Sequence, residues 1–447
     1  MTISNLRIVL LLFLALSVSC QRIGGAENNT APGSVANLSS IPEDAATEVV
    51  FPEDTRTSTE GTSLNASVTA DNPIIPGQYI VFYKRKADRP SIATAQQQRL
   101  PFRIIRELRK AIAVAGMDDE QYQQMLQDPA VEKVVPDFTI TVDDSKNLFR
   151  TTQITCSGLT QPSCGLAEVA QNSPANWGLD RIDQDSLPLD NSYATRCDGA
   201  RVQVYVIDTG IRKSHVEFGG RAICGANYVS GESCQDFDGH GTHVAGTIGG
   251  ATYGVAKRVQ ILDVKVFNRE GVGALSTVMA GLEYVVSQKN RNPDIPMVVN
   301  MSLGSVGTSN EIKNAVDEAV AAGIVVVVAA GNKGMDACNY SPAFVPSAIT
   351  VSATDRQDAR PTWSNFGNCV DLSAPGVQIL SAYFTNDRAT ASLSGTSMAA
   401  PHVAGAAALY LQANPNWTPA QVWQAMRNDA SDSVQGTARR MLQIQFI

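Results

Sequence analysis

The chain has 447 residues, and its 43 acidic side chains against 35 basic ones leave a formal net charge of −8 with no run of Lys or Arg. That balance excludes an electrostatic footprint for nucleic acid and mainly favours solubility. Only Arg7 is charged before the apolar run from Ile8 to Val18. Such a run is too short to cross a bilayer and suits a secretory leader over residues 1–20, so export is expected. Leu16-Ser17-Val18-Ser19-Cys20 is similar to a bacterial lipoprotein box, with Ser17 where an aliphatic residue is usual. Two readings stay open there: a lipid anchor on Cys20, or a plain leader cut nearby.

Residues 21–74 shift to Ser, Thr, Ala, Asn, Glu and Pro without periodic apolar content, the composition of a disordered spacer. Order resumes near Gly77. Gln78 to Tyr83 alternates as a strand, Arg103 to Ala115 is expected to be helical, Asp118 to Leu126 gives a second helix, and Val131 to Val142 reads as a strand. Together they predict a small α+β domain over residues 75–143. Residues 144–171 form a polar linker whose Cys156 and Cys164 are close enough for a small disulfide loop. Beyond it, residues 172–447 suit one large α/β domain. Apolar strands (Val202–Ile207, Gln260–Phe267, Pro296–Met301, Ile324–Ala330, Ala348–Ala353) alternate with helices (Thr242–Gly249, Leu275–Asn290, Asn310–Ala322, Thr396–Gln412). The alternation implies a mostly parallel sheet covered on both faces, with its site at the carboxyl ends of the strands. A last helix is expected from Thr418 to Arg427.

Three stretches carry chemistry. Arg201 to Ile207 is a buried strand delivering Asp208 at its edge, in Val206-Ile207-Asp208-Thr209-Gly210. Asp238-Gly239-His240-Gly241-Thr242-His243-Val244-Ala245-Gly246 is a loop entering a small-residue helix. Gly395-Thr396-Ser397-Met398-Ala399-Ala400-Pro401-His402-Val403-Ala404-Gly405 opens another, with Ser397 near its N-terminus and Pro401 expected in the first turn. A serine hydroxyl is a poor nucleophile until a base takes its proton, and that base needs a carboxylate to fix its tautomer. Asp208, His240 and Ser397 supply the three parts, in the order Asp, His, Ser, which is similar to that of subtilisin. His240 and His243 lack further ligands for zinc apart from Asp238, and His243 and His402 read as structural. His215 is assigned to a polar loop.

These stretches, with Asn300-Met301-Ser302-Leu303-Gly304 and Ala329-Ala330-Gly331-Asn332, resemble the subtilisin-like serine proteases, in the branch containing proteinase K and aqualysin. The likeness runs from about Trp177 to Leu442. It implies a subtilisin-like three-layer α/β fold, a serine endopeptidase acting on protein and peptide substrates, and a monomer. It also implies that residues 75–143 are a ferredoxin-like propeptide domain, an intramolecular inhibitor cleaved off between Val142 and Gln171. Asn332 takes the place of the side-chain oxyanion donor. Gly271, Gly273, Ser302, Leu303 and Gly304 are the expected edges for an extended substrate, and Ala329, Ala330 and Gly331 the expected lining for the residue before the scissile bond. Without a charge there, apolar or aromatic residues are expected to be preferred.

Calcium is the expected cofactor, with no organic one. Carboxylates and amide oxygens crowd one loop, and the resemblance makes Asp180, Asp183, Gln184, Asp190 and Ser192 candidate ligands. Pro346, Ala348 and Asp371 match a second calcium site of the family. Cys338 and Cys369 match a disulfide of the aqualysin-like enzymes. The other bridge of that branch is absent, since Phe237 and Asn268 stand in its place. Cys224 and Cys234 are a local substitute, which leaves Cys197 over. A fold kept for binding after loss of activity is the rival reading, opposed by the intact catalytic positions. An esterase is opposed by Ala399, where its nucleophile motif needs glycine.

Overall fold

The computed structural model describes residues 72–84, 89–142, 145–149, 164, 169–435, 440–444 and 447. The leader, Cys20, the spacer and Cys156 lie outside the described residues. All the described residues belong to one compact unit, 62–447.

The N-terminal module runs β1 (Ile74–Tyr83), α1 (Arg89–Arg99), β2 (Arg103–Glu107), β3 (Ala111–Ala115), α2 (Asp119–Leu126) and β4 (Val131–Val142). Strand β1 lies antiparallel between β3 and β4, and β2 pairs with β3. The helix expected over Arg103–Ala115 is therefore two strands. Ile104, Ile105, Leu108 and Ile112 carry a helical spacing. Ala111–Val114, however, is buried throughout and pairs on both sides, so tertiary pairing overrides the local period. Helix α1, which buries only Ala93 and Gln96, leaves almost no apolar signal in the sequence. Helix α2 starts as expected, because Asp118 and Gln121 form a reciprocal capping box.

The chain continues through β5 (Ser145–Phe149), β6 (Val169–Asn172), α3 (Trp177–Ile182), β7 (Ser192–Thr195), β8 (Gln203–Asp208), β9 (Ala222–Asn227), α4 (His240–Gly249), β10 (Gln260–Lys265), β11 (Val272–Ala274), α5 (Leu275–Arg291), β12 (Met297–Met301), β13 (Leu303–Val306), α6 (Asn310–Ala321) and β14 (Val325–Ala329). It ends with β15 (Tyr340–Ser341), β16 (Ile349–Thr354), β17 (Leu372–Pro375), β18 (Ile379–Ala382), β19 (Thr390–Ser394), α7 (Thr396–Ala413), α8 (Pro419–Asp429) and β20 (Arg440–Met441). The central sheet has the order β20-β17-β16-β14-β12-β8-β10-β9, and every pairing in it is parallel.

Strand alternation sorts the core into two layers. Val204, Val206, Val325 and Val327 pack with α4 and α7 on one face. Tyr205, Ile207, Val326 and Val328 pack with α5 and α6 on the other. Each such side chain contributes about 1.5–3 kcal/mol when fully buried, so the sheet needs both helical layers. Helix α7 is buried from Thr396 to Leu411, which explains its small residues. A Cβ at Gly405 would lie 2.7 Å from Val255 Cβ.

Pro401 is not in the first turn of α7 but well inside the helix. A helical residue here would donate its N–H to the Ser397 carbonyl. That carbonyl instead accepts from the Ser302 hydroxyl at 2.9 Å. The helix that carries Ser397 is thereby tied to the end of β12.

Candidate active site

Strand β8 ends on Asp208, which is fully buried. Its carboxylate receives the Thr209 N–H at 2.7 Å and faces His240 Nδ1 at 2.7 and 2.9 Å through its two oxygens. His240 is the first residue of α4, entered through Gly239 at φ 111°. A carboxylate against Nδ1 favours the tautomer whose Nε2 can take a proton. No Cβ fits at Gly241, where it would meet the Gly210 carbonyl at 2.2 Å and Asp208 Oδ1 at 3.1 Å.

Ser397 is the second residue of α7, so its N–H is among those without an acceptor inside the helix. Its hydroxyl donates to the Ser302 carbonyl at 3.4 Å. Asn332 Oδ1 accepts the Thr396 N–H at 2.8 Å, placing the Asn332 amide at the start of the same helix. Gly331, at φ 100°, donates its N–H to Thr396 Oγ1 at 3.0 Å. Asp208, His240, Asn332 and Ser397 thus sit at the carboxyl ends of β8 and β14 and the N-termini of α4 and α7. Asn365 was not foreseen. Fully buried, it donates to the Ala330 carbonyl at 2.7 Å and accepts from Lys333 N and Met335 N at 3.0 Å each, shaping the loop that carries Asn332.

The candidate substrate edges come together as two strands with a third between them. Strand β4 lies antiparallel to both β11 and β13: Ile140 faces Gly273, Thr141 faces Val272 and Gly304, and Val142 faces Leu303. Val142 N donates to the Gly271 carbonyl at 3.0 Å. Strand β5 then pairs with β19, whose last residue precedes Ser397 by three positions. Of the segment Gly271–Gly273, Val272 and Gly273 belong to the strand β11. Two of the three glycines at these edges, Gly273 and Gly304, are fixed by the body of the fold and not by β4. A Cβ on Gly273 would lie 2.5 Å from the Val266 carbonyl, and one on Gly304 2.2 Å from the Tyr340 ring; only the one on Gly271 would meet β4, at 2.6 Å from Val142. Ala329 and Ala330 are buried, Ala330 in a small cluster with Tyr340, Ala343 and Val370.

Hydrogen bonds knit the acidic segment from Asp180 to Ser192 together. Asp180 accepts from Asp190 N and Asn191 N, Gln184 Oε1 from Asp190 N at 3.1 Å, Asp190 Oδ1 from Ser192 N at 2.8 Å, and Asp183 Oδ2 from Ala194 N at 2.6 Å. Asp183 Oδ1 is buried without a hydrogen-bond partner. Burial, reinforced by Asp190 and Asp180, pushes the Asp183 carboxyl up to about 7. Burial also raises Asp180. A hard cation would relieve such a site, so the donor set fits calcium. Among the described residues, however, no three His, Cys, Asp or Glu side chains are close enough to hold a metal by themselves. Carbonyl and amide oxygens would have to complete the shell. At the second candidate, Asp371 Oδ2 accepts at 2.9 Å from the N–H of Thr350, the second residue after Ala348.

His243 Nε2 faces the Ile379 and Ala391 carbonyls, and burial pushes its pKa down to about 3. His402 bonds Met398 O and Asn176, and burial pushes it to about 4. Both are structural. His215, expected in a polar loop, is buried and bonds the Ala389 carbonyl. Cys338–Cys369 and Cys224–Cys234 are bridged as expected. The third bridge corrects the reading of the linker: Cys164 pairs with Cys197, so Cys197 is not left over and Cys164 does not close a loop with Cys156. Sequence spacing favoured the near partner, whereas the fold brings the Cα atoms of the distant pair to 4.4 Å.

The model of the subtilase family matches residues 199–442. An extracellular serine proteinase of Thermus sp. (strain Rt41A) is 46% identical over 374 residues, covering 82% of this chain and 88% of that protein. Alkaline serine exoprotease A of Vibrio alginolyticus is 45% identical over 310 residues, covering 69% of this chain and 53% of that protein. Among solved structures, a cold adapted subtilisin-like serine proteinase is 48% identical with a TM-score of 0.57, covering 61% of this chain and 98% of that one.

Proposed function

The chain belongs to the subtilase family and is a serine endopeptidase, and from that premise we propose that it is exported as a zymogen, stabilised by calcium, and cuts proteins through Asp208, His240 and Ser397. Ser397 Oγ attacks the peptide carbonyl while His240 Nε2 takes its proton. Asp208 holds Nδ1 and stabilises the imidazolium that forms. Asn332 Nδ2 and the Ser397 N–H bond the oxyanion. His240 returns the proton to the leaving amine, and water then hydrolyses the acyl-enzyme.

The observation that carries this reading is the seating of β4. An extended peptide lies between β11 and β13 through main-chain pairing, and its last residue, Val142, faces Leu303 beside Ser302 and Ser397. The residues before 143–144 pair with β11 and β13 and those after pair with β19, which leads into Ser397, and this supports cleavage between Val142 and Ser145. The N-terminal module then acts as the enzyme's own inhibitor. Main-chain recognition supports broad specificity, and Ala329, Ala330 and Gly331 support a lean toward apolar or aromatic residues. The Asp180–Ser192 loop and the surroundings of Asp371 would hold calcium, which would supply positive charge to their carboxylate oxygens.

Hydrolysis of a panel of peptide p-nitroanilides, with phenylmethanesulfonyl fluoride labelling mapped by mass, tests the assignment. Activity abolished by a label on Ser397, with Phe- or Leu-terminated substrates preferred, is expected. A label elsewhere refutes the nucleophile, and strict Arg or Lys selectivity refutes the specificity.

A further inference from the structure

Asp236 lies ahead of the recognisable His240 motif, and no sequence pattern marks it. It is 3% exposed, yet its carboxylate accepts five hydrogen bonds. Oδ1 receives Thr209 Oγ1 at 3.0 Å, Asp238 N at 3.0 Å and Gly239 N at 2.9 Å. Oδ2 receives Thr242 N at 2.9 Å and Thr242 Oγ1 at 2.6 Å.

A helix cap explains only part of this set. The bonds to Gly239 and Thr242 fix the entry of α4, whose first residue is His240. The bond to Thr209 reaches a different segment, the turn that follows Asp208. Thr209 Oγ1 in turn accepts the Gly241 N–H at 2.9 Å, and Thr242 Oγ1 accepts the Arg212 N–H at 3.0 Å. The segments have no room to slide. A Cβ on Gly210 would sit 2.7 Å from the Gln235 carbonyl and 2.9 Å from Asp236 N. Moreover, the carboxylate is buried near Asp208 and Asp263, two further acids, the latter paired with Lys213. Burying another anion there costs stability, so a capping role alone would be served better by a neutral Ser or Asn.

We propose that Asp236 is a positioning residue of the catalytic pair, clamping the Asp208 turn to the His240 helix so that Asp208 and His240 Nδ1 stay in register during proton transfer. The proposal rests on the triad reading above. Its effect belongs to kcat, because its five bonds run to Thr209, Asp238, Gly239 and Thr242 and none of them to β11 or β13.

The test uses active-site-titrated mature enzyme and a chromogenic peptide. Asp236→Asn replaces one acceptor by an N–H₂ group. Thr209→Val removes only the hydroxyl that joins the two segments, and Thr209→Ser restores it. For Asp236→Asn and Thr209→Val, kcat is expected to fall between about ten- and a hundredfold with KM within twofold, the scale of loss from sub-ångström misplacement of reacting groups. Thr209→Ser is expected to stay within threefold of wild type in kcat. If Asp236→Asn does not fold, the Thr209 pair decides alone. Unchanged kcat in folded Thr209→Val, or a loss confined to KM, overturns the proposal while leaving the triad intact. An inactive wild type overturns the endopeptidase reading and this proposal with it.

Discussion

Replacing Asn332 separates two jobs that one side chain performs. Its Oδ1 accepts the Thr396 N–H at 2.8 Å at the start of α7, and its Nδ2 is assigned to the oxyanion. Asn332→Ala removes both. Loss of one preorganised oxyanion donor costs about 2.7–4 kcal/mol of transition-state stabilisation, a factor of about 10² to 10³ in kcat. Thr396 is fully buried, so leaving its N–H without an acceptor adds about 1–3 kcal/mol of folding free energy, or about 2–4 °C in Tm for each kcal/mol. Asn332→Asp keeps the acceptor and loses the donor. It is expected to melt near wild type but to lose at least as much kcat as Asn332→Ala, since a carboxylate also repels the oxyanion. Steady-state kinetics of the single Asn332 variants on one peptide substrate, and differential scanning calorimetry of the same variants carrying Ser397→Ala to prevent autolysis, read the two effects separately. Asn332→Ala with kcat within tenfold of wild type, or with its loss expressed as KM, would refute the reasoning.

Chelation of calcium is expected to lower the Tm, and Asp183→Asn to shrink the gap between chelated and calcium-loaded protein; equal melting of both samples would exclude a stabilising calcium. Acid should unfold the enzyme through its buried neutral histidines. His402 and His243 have folded pKa values pushed down to about 4 and about 3, so the stability they allow is complete above about pH 6.5, the ordinary histidine value, and falls by roughly 1.4 kcal/mol per pH unit per histidine as the pH drops toward those values. His402→Gln is expected to flatten that limb in urea titrations at pH 7, 6 and 5, and an unchanged slope would count against it. Peptide mapping without reduction should recover Cys164–Cys197, Cys224–Cys234 and Cys338–Cys369. A Cys156–Cys164 peptide would contradict the fold of the linker.

The parallel sheet and its helices are legible because β8, β10, β12, β14 and β16 are apolar runs ending at polar turns, with Asp208 and Asn332 at the ends of β8 and β14 and with His240 and Ser397 at the starts of the small-residue helices α4 and α7. What the sequence concealed is long-range. Arg103–Ala115 has helical spacing but pairs as two strands because β1 offers it an edge. Asp236 meets Thr209 across 27 positions and Asn365 meets Ala330 across 35, so local spacing does not reveal those bonds. Cys164 finds Cys197 across 33 positions. Pro401 lies inside α7 because the Ser397 carbonyl, which a proline leaves without its helical N–H, accepts from the Ser302 hydroxyl 95 residues away.

The measurement that bears most directly on the central claim compares wild type with Ser397→Ala after expression in calcium-containing medium, by gel, N-terminal sequencing and casein hydrolysis. Wild type should lose its N-terminal module by a cut between Val142 and Ser145 and digest casein, while Ser397→Ala stays uncut and inert. Identical processing of the two proteins, or a folded wild type that leaves casein intact, would contradict a self-maturing endopeptidase built on Ser397.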